Sequence, residues 1–558
     1  MLNKSEVLLY LSYSVKNLKT MQGKLIKASK KLASTPRYVS PNQLTLAGFE
    51  TPFEQKLTSE NRWVKMAGAI AWDQIVVHYN NLFQSAEGRP PISGRVILGA
   101  MMIKHIEGLT DRRTIEHIQE NMFMQYFLGY SSFTNEAPFS ATLFVEIRKR
   151  LSLELLSKIN DVIALHCIKA EETDNPPAPP KDNIENDEQQ GDAIAAINKA
   201  AENESLPATA VVETTATVDT QVPTNKGKLI TDATVAPQNI TYPTDLKLLN
   251  AARQKSEELI DILYNQELHG QAKVRTYRQM ARKDFLNTAK KKAKTSKAIY
   301  KANGSQLRYL KRNLGHIETL LKVYPVFPLA PKEQKYLMVL HTVYLQQEQM
   351  YRTHTKSVED RIVNIHQPHV RPIVRGKDGA KVEFGSKLQV AIVKGFTFID
   401  HLSWDAFNES RYLSHTVEKY KERFGFYPAE VLADQIYCTR DNRKKLKEKG
   451  IKLIAKPLGR PSSTAVAVHL RPGERNPIEG KFGQAKVAYG LDNIKAKLKE
   501  TSESWIASIA LVLNLVAMTR QALVPLIKYY YFILKIISDE IYSYQDKIYF
   551  LKMRTLSS

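Results

Sequence analysis

A chain of 558 residues is too long for one ordinary domain and points to two to four folded units. Lys and Arg number 80 against 57 Asp and Glu, a formal charge of +23 that calls for a polyanionic partner, nucleic acid before an anionic membrane surface. Only Cys167 and Cys438 are present, which excludes a disulfide-stapled secreted scaffold and a thiolate zinc site.

The start of the chain has no basic segment leading into a long apolar core, so no signal peptide is expected, and residues 1–43 read as a helical extension. Residues 44–170 form a helical block. Val96, Ile97, Ala100, Met101 and His105 share one helical face, and Gly108 can end that helix. Thr110 opens a second helix carrying Ile115 and Ile118. Ser140 can cap a third, with Leu143, Phe144, Ile147 and Leu151 inward and Arg148, Lys149 and Arg150 outward. Short helices with a basic face suit a helix-turn-helix unit docking on DNA. A plain bundle with a solvated basic face is the competing reading, and spacing alone favours it slightly.

Residues 171–227 hold twelve acidic and three basic residues, several prolines and no apolar period. Such a composition cannot bury enough surface to offset backbone ordering, so a disordered acidic linker is expected. Subtracting it leaves about +32 on the remainder. A strand then begins at Lys228 and places Ile230, Asp232 and Thr234 on one face.

A helical insertion follows over 245–358. Within it, 273–312 holds fourteen basic residues and one acid, Asp284. Arg275, Arg278 and Arg282 are expected to stack on one face, with Tyr277, Tyr300 and Tyr309 interleaved. Like charges at this density repel one another unless an anion neutralises them, so phosphate contact is expected here, including Lys290, Lys291 and Lys292.

Strand signals return with a hairpin around Lys394-Gly395, a polar helix over 415–424, a strand ending at Asp434, a basic helix over 442–449 and a strand over 451–455. The fold class is therefore α/β, a mixed sheet over 228–244 and 359–500 in which the strands at 228 and 430 can lie parallel. Residues 501–558 read as C-terminal helices. The apolar run 504–519 is shorter than the roughly 18 to 20 residues of a membrane span and reads as a buried helix; because the basic helices lack a clear wide apolar face, no membrane partner is expected. Trp505, Ile506, Ile509, Leu511, Leu513 and Leu515 would pack on the sheet, and the aromatic runs 529–534 and 542–551 suggest another packed helix or a self-association face.

If the strands at 228 and 430 pair, Asp232 and Asp434 face each other, and Glu479 follows near a helix start marked by Pro477. Three carboxylates from separate elements can hold two Mg²⁺ or Mn²⁺ ions about 3.5 to 4 Å apart for in-line attack on a phosphodiester. Taken singly each is an ordinary cap or turn residue, and Asp245, Asp400, Asp405 and Asp441 are rivals that periodicity does not exclude. His366 and His369 have ligand-like spacing, but Pro368 argues against a helix and no cysteine lies nearby, so a structural or surface role is expected. Cys438 is expected to be inert.

The residues resemble DDE-type transposases of bacterial insertion sequences, whose catalytic core is RNase H-like. The resemblance rests on Thr231-Asp232-Ala233-Thr234, on Leu432-Ala433-Asp434-Gln435-Ile436-Tyr437, and on Arg475-Asn476-Pro477-Ile478-Glu479 continuing to Lys486. Arg371 to Lys377 and Val382 to Lys387 also look like the family's segment before the second strand, and the helical block resembles its N-terminal domain. Pro472 stands where the family usually has Tyr. The resemblance implies Asp232, Asp434 and Glu479 as the metal-binding catalytic triad for two Mg²⁺ or Mn²⁺ ions, with Arg475 and Lys486 on phosphates and Lys387 as a further DNA contact. It implies double-stranded DNA as partner, both element ends and target, a dimer or larger assembly on DNA, and a cytoplasmic, nucleoid-associated bacterial location. A catalytically inactive, transposase-derived DNA-binding protein is the alternative, and a nuclease without strand transfer a further one.

Overall fold

The computed structural model describes residues 57–83, 91–174, 225–374, 382–456 and 473–519. The expected N-terminal extension, nearly all of the acidic linker, Pro472 and the aromatic runs after 528 lie outside the described residues.

The helical block contains α1 (Arg62–Ala69), α2 (Trp72–Asn80), α3 (Gly94–Ile106), α4 (Asp111–Glu120), α5 (Met122–Phe127), α6 (Leu143–Arg150) and α7 (Leu153–Asp174). Short polar side chains start them: Asn61 accepts from the Trp63 amide, Thr110 from Arg113, and Asn121 from Phe123 and Met124. Gly108, at φ +64°, follows the end of α3. Trp72, Phe127, Phe144 and Ile103 fill the centre of the block. Two expectations need correction. Thr142 rather than Ser140 precedes α6, and its side chain makes no cap bond. Arg148 points inward, because its guanidinium pairs in bidentate fashion with Asp111 at 2.9 and 2.7 Å; only Lys149 and Arg150 face solvent. α7 also runs four residues into the stretch expected to be linker.

The sheet comprises β1 (Lys228–Pro237), β2 (Arg371–Val374), β3 (Val382–Val393), β4 (Phe396–Ser403), β5 (Glu430–Leu432) and β6 (Lys452–Ile454). β3 lies antiparallel to β1 along one edge, and to β2 and then β4 along the other. β5 is parallel to β1 and β6 to β5, so the mixed sheet matches the expected class, with the short strand β2 added. Lys394 and Gly395 both have positive φ, 47° and 83°, the geometry of a tight turn whose twist matches the β3–β4 hairpin. At Gly385 a Cβ would fall well inside contact distance of the Ala236 carbonyl, so only glycine lets β3 approach β1 there.

Between β1 and β2 lies the insertion, which forms several helices rather than one long stretch: α8 (Asp245–Leu263), α9 (Gln266–His269), α10 (Arg278–Ala289), α11 (Ser296–Leu321) and α12 (Pro331–Thr353). Leu249, Ile260, Leu310, Ile317, Leu340 and Val343 give it a core of its own. Arg275 precedes α10 and Tyr277 sits at the turn before it with φ 52°, so Arg275 does not share a helical face with Arg278 and Arg282 as expected.

Among the described residues the further α-helices are α13 (Leu413–Phe424), α14 (Arg440–Glu448), α15 (Asn476–Tyr489) and α16 (Lys499–Thr519). α15 and α16 cover one sheet face, where Ile478 meets Ile230, Ile392, Leu432 and Ile454, and Ile506, Ile509 and Leu513 meet Leu388 and Val390. α13 covers the other with Leu413 and Val417, in a core shared with the helical block. α16 is long and apolar enough to cross a membrane, but 78% of its apolar window is buried within the fold, which makes it a core helix. Asn514 on α16 and Asn160 on α7 both donate to the Thr397 carbonyl, at 2.8 and 2.9 Å, tying block, sheet and last helix together.

Candidate active site

The parallel register sets the first two carboxylates. Ile230 on β1 is opposite Leu432 on β5; two residues further along each strand direction come Asp232 and Asp434. β5 ends at Leu432, and Asp434 caps the following turn, its Oδ1 accepting from the Gln435 amide at 2.7 Å. Asp232 stays within β1, its Oδ1 accepting from the Ala233 amide at 2.8 Å. Their environments differ: the Asp232 side chain is 15% exposed and that of Asp434 52%. Burial pushes the Asp232 carboxyl up to about 6, opposed by the Ala233 bond and the Arg475 charge.

α15 supplies the third. Pro477 lies in its first turn, as expected, and fully buried Ile478 anchors that turn on the sheet. Glu479 then projects from the first turn with its side chain 65% exposed. Arg475 occupies the position before α15, one turn ahead of Glu479.

The three carboxylates gather around this one guanidinium. Arg475 reaches Asp232 Oδ2 at 2.8 Å, Asp434 Oδ1 at 2.9 Å and Glu479 Oε1 at 3.6 Å. Residues from three separate elements, 247 positions apart at the extremes, thus aim oxygens at a common positive charge. Among the described residues no three His, Cys, Asp or Glu side chains stand ready to enclose a metal ion without rearrangement. The donor set itself, carboxylate oxygens converging on a cation, suits a hard divalent ion.

The rival acids are engaged elsewhere. Asp245 accepts from Arg361 at 2.6 Å and Gln347 at 3.0 Å, Asp400 is buried against Arg423 at 2.6 Å, Asp405 lies 3.5 Å from Arg371, and Asp441 pairs with Lys445 at 2.7 Å. His366 bonds the Tyr336 hydroxyl and His369 packs edge-on against Trp404. Cys438 accepts from the Arg443 guanidinium and is buried.

Beneath the acids lies a polar layer that sequence reasoning missed. Gln389 on β3 donates to Thr231 Oγ1 at 2.7 Å, and its amide bonds the buried Tyr437 hydroxyl at 3.0 Å. Burial, reinforced by Glu409 and Asp232, pushes that hydroxyl well above its usual range. Glu409 in turn pairs with Lys387 at 2.7 Å, and Lys387 also donates to the Phe407 carbonyl at 2.9 Å, so this lysine is held inside the site's wall. The only sequence signal was a lone polar Gln389 in the apolar run of β3. Lys486 lies on α15 two turns beyond Glu479 and is half-buried.

In the insertion, Arg278 is held by Asp261 at 3.0 and 2.8 Å, and Lys273 reaches the same carboxylate at 2.7 Å. Arg282 is exposed on α10, while Lys290, Lys291 and Lys292 are exposed at and just past its end. Arg312 lies over the Tyr277 and Tyr309 rings at 4.5 and 5.1 Å.

Comparison with known proteins finds two matching families. The family described as Transposase DDE domain matches residues 431–516, which include Asp434, Arg475, Glu479 and Lys486. The family described as Transposase domain (DUF772) matches residues 51–150 in the helical block. An uncharacterised protein of Rhizobium meliloti, ORF8 in the nfe locus, is 30% identical over 96 residues, 17% of this chain and 46% of that protein. The chain thus spans about half the length of the curated relative it matches. No solved structure matches it. Transposases act on DNA, and the DDE group typically uses divalent metal ions. Residues 431–516, from β5 to α16, are therefore similar to a transposase DDE domain, and residues 51–150 in the helical block to a transposase domain.

Proposed function

We propose that this protein is an insertion-sequence transposase that binds element ends, cleaves them and joins them to target DNA by Mg²⁺-dependent phosphoryl transfer, with Asp232, Asp434 and Glu479 as its metal-binding catalytic triad. The observation that carries the reading is the convergence of these three side chains, from β1, the end of β5 and the start of α15, within 3.6 Å of a single cation. Two bound Mg²⁺ or Mn²⁺ ions would supply Lewis-acid activation of the attacking oxygen and stabilisation of the leaving one.

The chain's own residues do the remainder. Asp232, the most buried of the three, fixes the centre on the sheet, while the more exposed Asp434 and Glu479 face the solvent side from which DNA arrives. Water first attacks the phosphodiester at the element end and the 3′-oxygen leaves; the resulting 3′-hydroxyl then attacks a target phosphodiester, expelling its 3′-oxygen. Arg475, just before α15, and Lys486, on it, are the phosphate ligands beside the triad, with Lys387 a further contact once its Glu409 pairing opens. Arg275, Arg282, Lys290, Lys291 and Lys292 present charge for the DNA flank, with Arg278, already paired to Asp261, contributing least, and Lys149 and Arg150 on α6 give the helical block a basic edge for a helix-turn-helix-like contact. In this reading the protein acts on nucleoid DNA in a bacterial cytoplasm as a dimer or larger assembly.

The test is a joining assay with pre-cut DNA carrying the sequences that flank the gene. Mg²⁺-dependent covalent joining to a target plasmid is the expected result. Nicking with no joined product would leave a nuclease, and neither product, with retained binding, a DNA-binding protein alone.

A further inference from the structure

Arg475 is placed unlike a residue awaiting a phosphate. Its side chain is only 19% exposed, and its two terminal nitrogens are turned into the protein toward Asp232, Asp434 and Glu479. The seat is incomplete, because the buried Nε has no hydrogen-bond partner. We propose that Arg475 is a displaceable counter-cation: it gathers the triad in the metal-free protein, competes with divalent ions for the same carboxylate oxygens, and leaves that position as metal loads.

The inference rests on the triad reading above and adds a role to a residue that the sequence assigned only to DNA. The physical grounds are local. Without Arg475, three carboxylates held by β1, the β5 end and α15 would repel one another, one of them largely buried. With it, they are held around one cation, and loading a metal still requires them to rearrange. The same contacts oppose loading, since a guanidinium and a divalent ion cannot share these oxygens without strong like-charge repulsion. Release from the carboxylates would then free the Arg475 side chain for a phosphate, so that metal loading and grip on DNA are linked.

The full-length protein is stripped of metal and titrated with Mn²⁺, following the free-ion signal by electron paramagnetic resonance. Arg475→Ala should bind Mn²⁺ about tenfold or more tightly than wild type, the fold-change of roughly one lost charge-assisted hydrogen bond. Its melting temperature without metal should be lower than wild type, and Mn²⁺ should recover more of it. Lys486→Ala removes the same charge from α15, which Arg475 precedes, and should change affinity much less. Arg475→Gln keeps much of the side-chain bulk and carries the test if the alanine variant does not fold. Equal or weaker Mn²⁺ binding in folded Arg475 variants, or an equal gain in Lys486→Ala, overturns the proposal. Asp434→Asn separates this from the triad reading: loss of Mn²⁺ binding in Asp434→Asn, with no gain in Arg475→Ala, defeats the counter-cation role alone. Binding unaffected by Asp434→Asn, or no binding in any variant, defeats both.

Discussion

Replacing Lys290, Lys291 and Lys292 together by alanine tests whether the insertion grips DNA through its phosphates. The three side chains are exposed at the end of α10 and have no acidic partner among the described residues. Each can therefore displace a full counterion, and three lost contacts should reduce the slope of log affinity against log salt by about 2.7. Between 50 and 200 mM salt, the wild-type affinity should thus fall by about 40-fold more than that of the variant. Arg278 supplies the internal comparison. Its charge is already matched by Asp261, so Arg278→Ala should change the slope by much less than one. Fluorescence anisotropy with a labelled duplex across a salt series gives both slopes. An unchanged slope in the triple variant, or an equal change per charge at Arg278, would refute the reasoning.

Two further outcomes follow from buried groups. His105, packed edge-on against Trp505 between the helical block and α16, is held neutral by burial and by Lys104 and Arg148, with its pKa pushed down to about 3. The unfolded chain takes up a proton near pH 6.5 and the folded one does not, so stability falls as pH drops from 6.5 toward 3; the loss is about 2 kcal/mol at pH 5, and His105→Phe should abolish that share in urea melts at pH 7 and 5. Tyr437→Phe should cost about 1 to 3 kcal/mol by leaving the buried Gln389 amide short of a partner, read as a lower urea midpoint at unchanged m.

The sheet was legible where local chemistry was decisive. The β3–β4 hairpin has a glycine turn between apolar runs, and Pro477 marks the start of α15. Asp232 and Asp434 were legible as a pair because two parallel strands, once aligned, carry them at equivalent positions. What stayed hidden depends on partners distant in sequence. Arg148 looked solvated beside Lys149 and Arg150, yet Asp111, 37 positions earlier, draws it inward. Asp245 rivalled Asp232 until Arg361 and Gln347 were found to occupy it. The Thr231–Gln389–Tyr437 layer joins three elements through hydrogen bonds that leave almost no periodic trace. Arg475 showed only its spacing from Glu479; its grip on two further carboxylates is a tertiary fact.

The most direct measurement is cleavage of element-end DNA by Asp434→Asn in the presence of Mg²⁺. Asparagine retains an oxygen that can accept from the Gln435 amide, so the turn after β5 should persist while the negative charge is lost. The account predicts DNA binding close to wild type and cleavage reduced below detection. Cleavage at the wild-type rate would contradict it and remove Asp434, and the converging triad with it, from the chemistry.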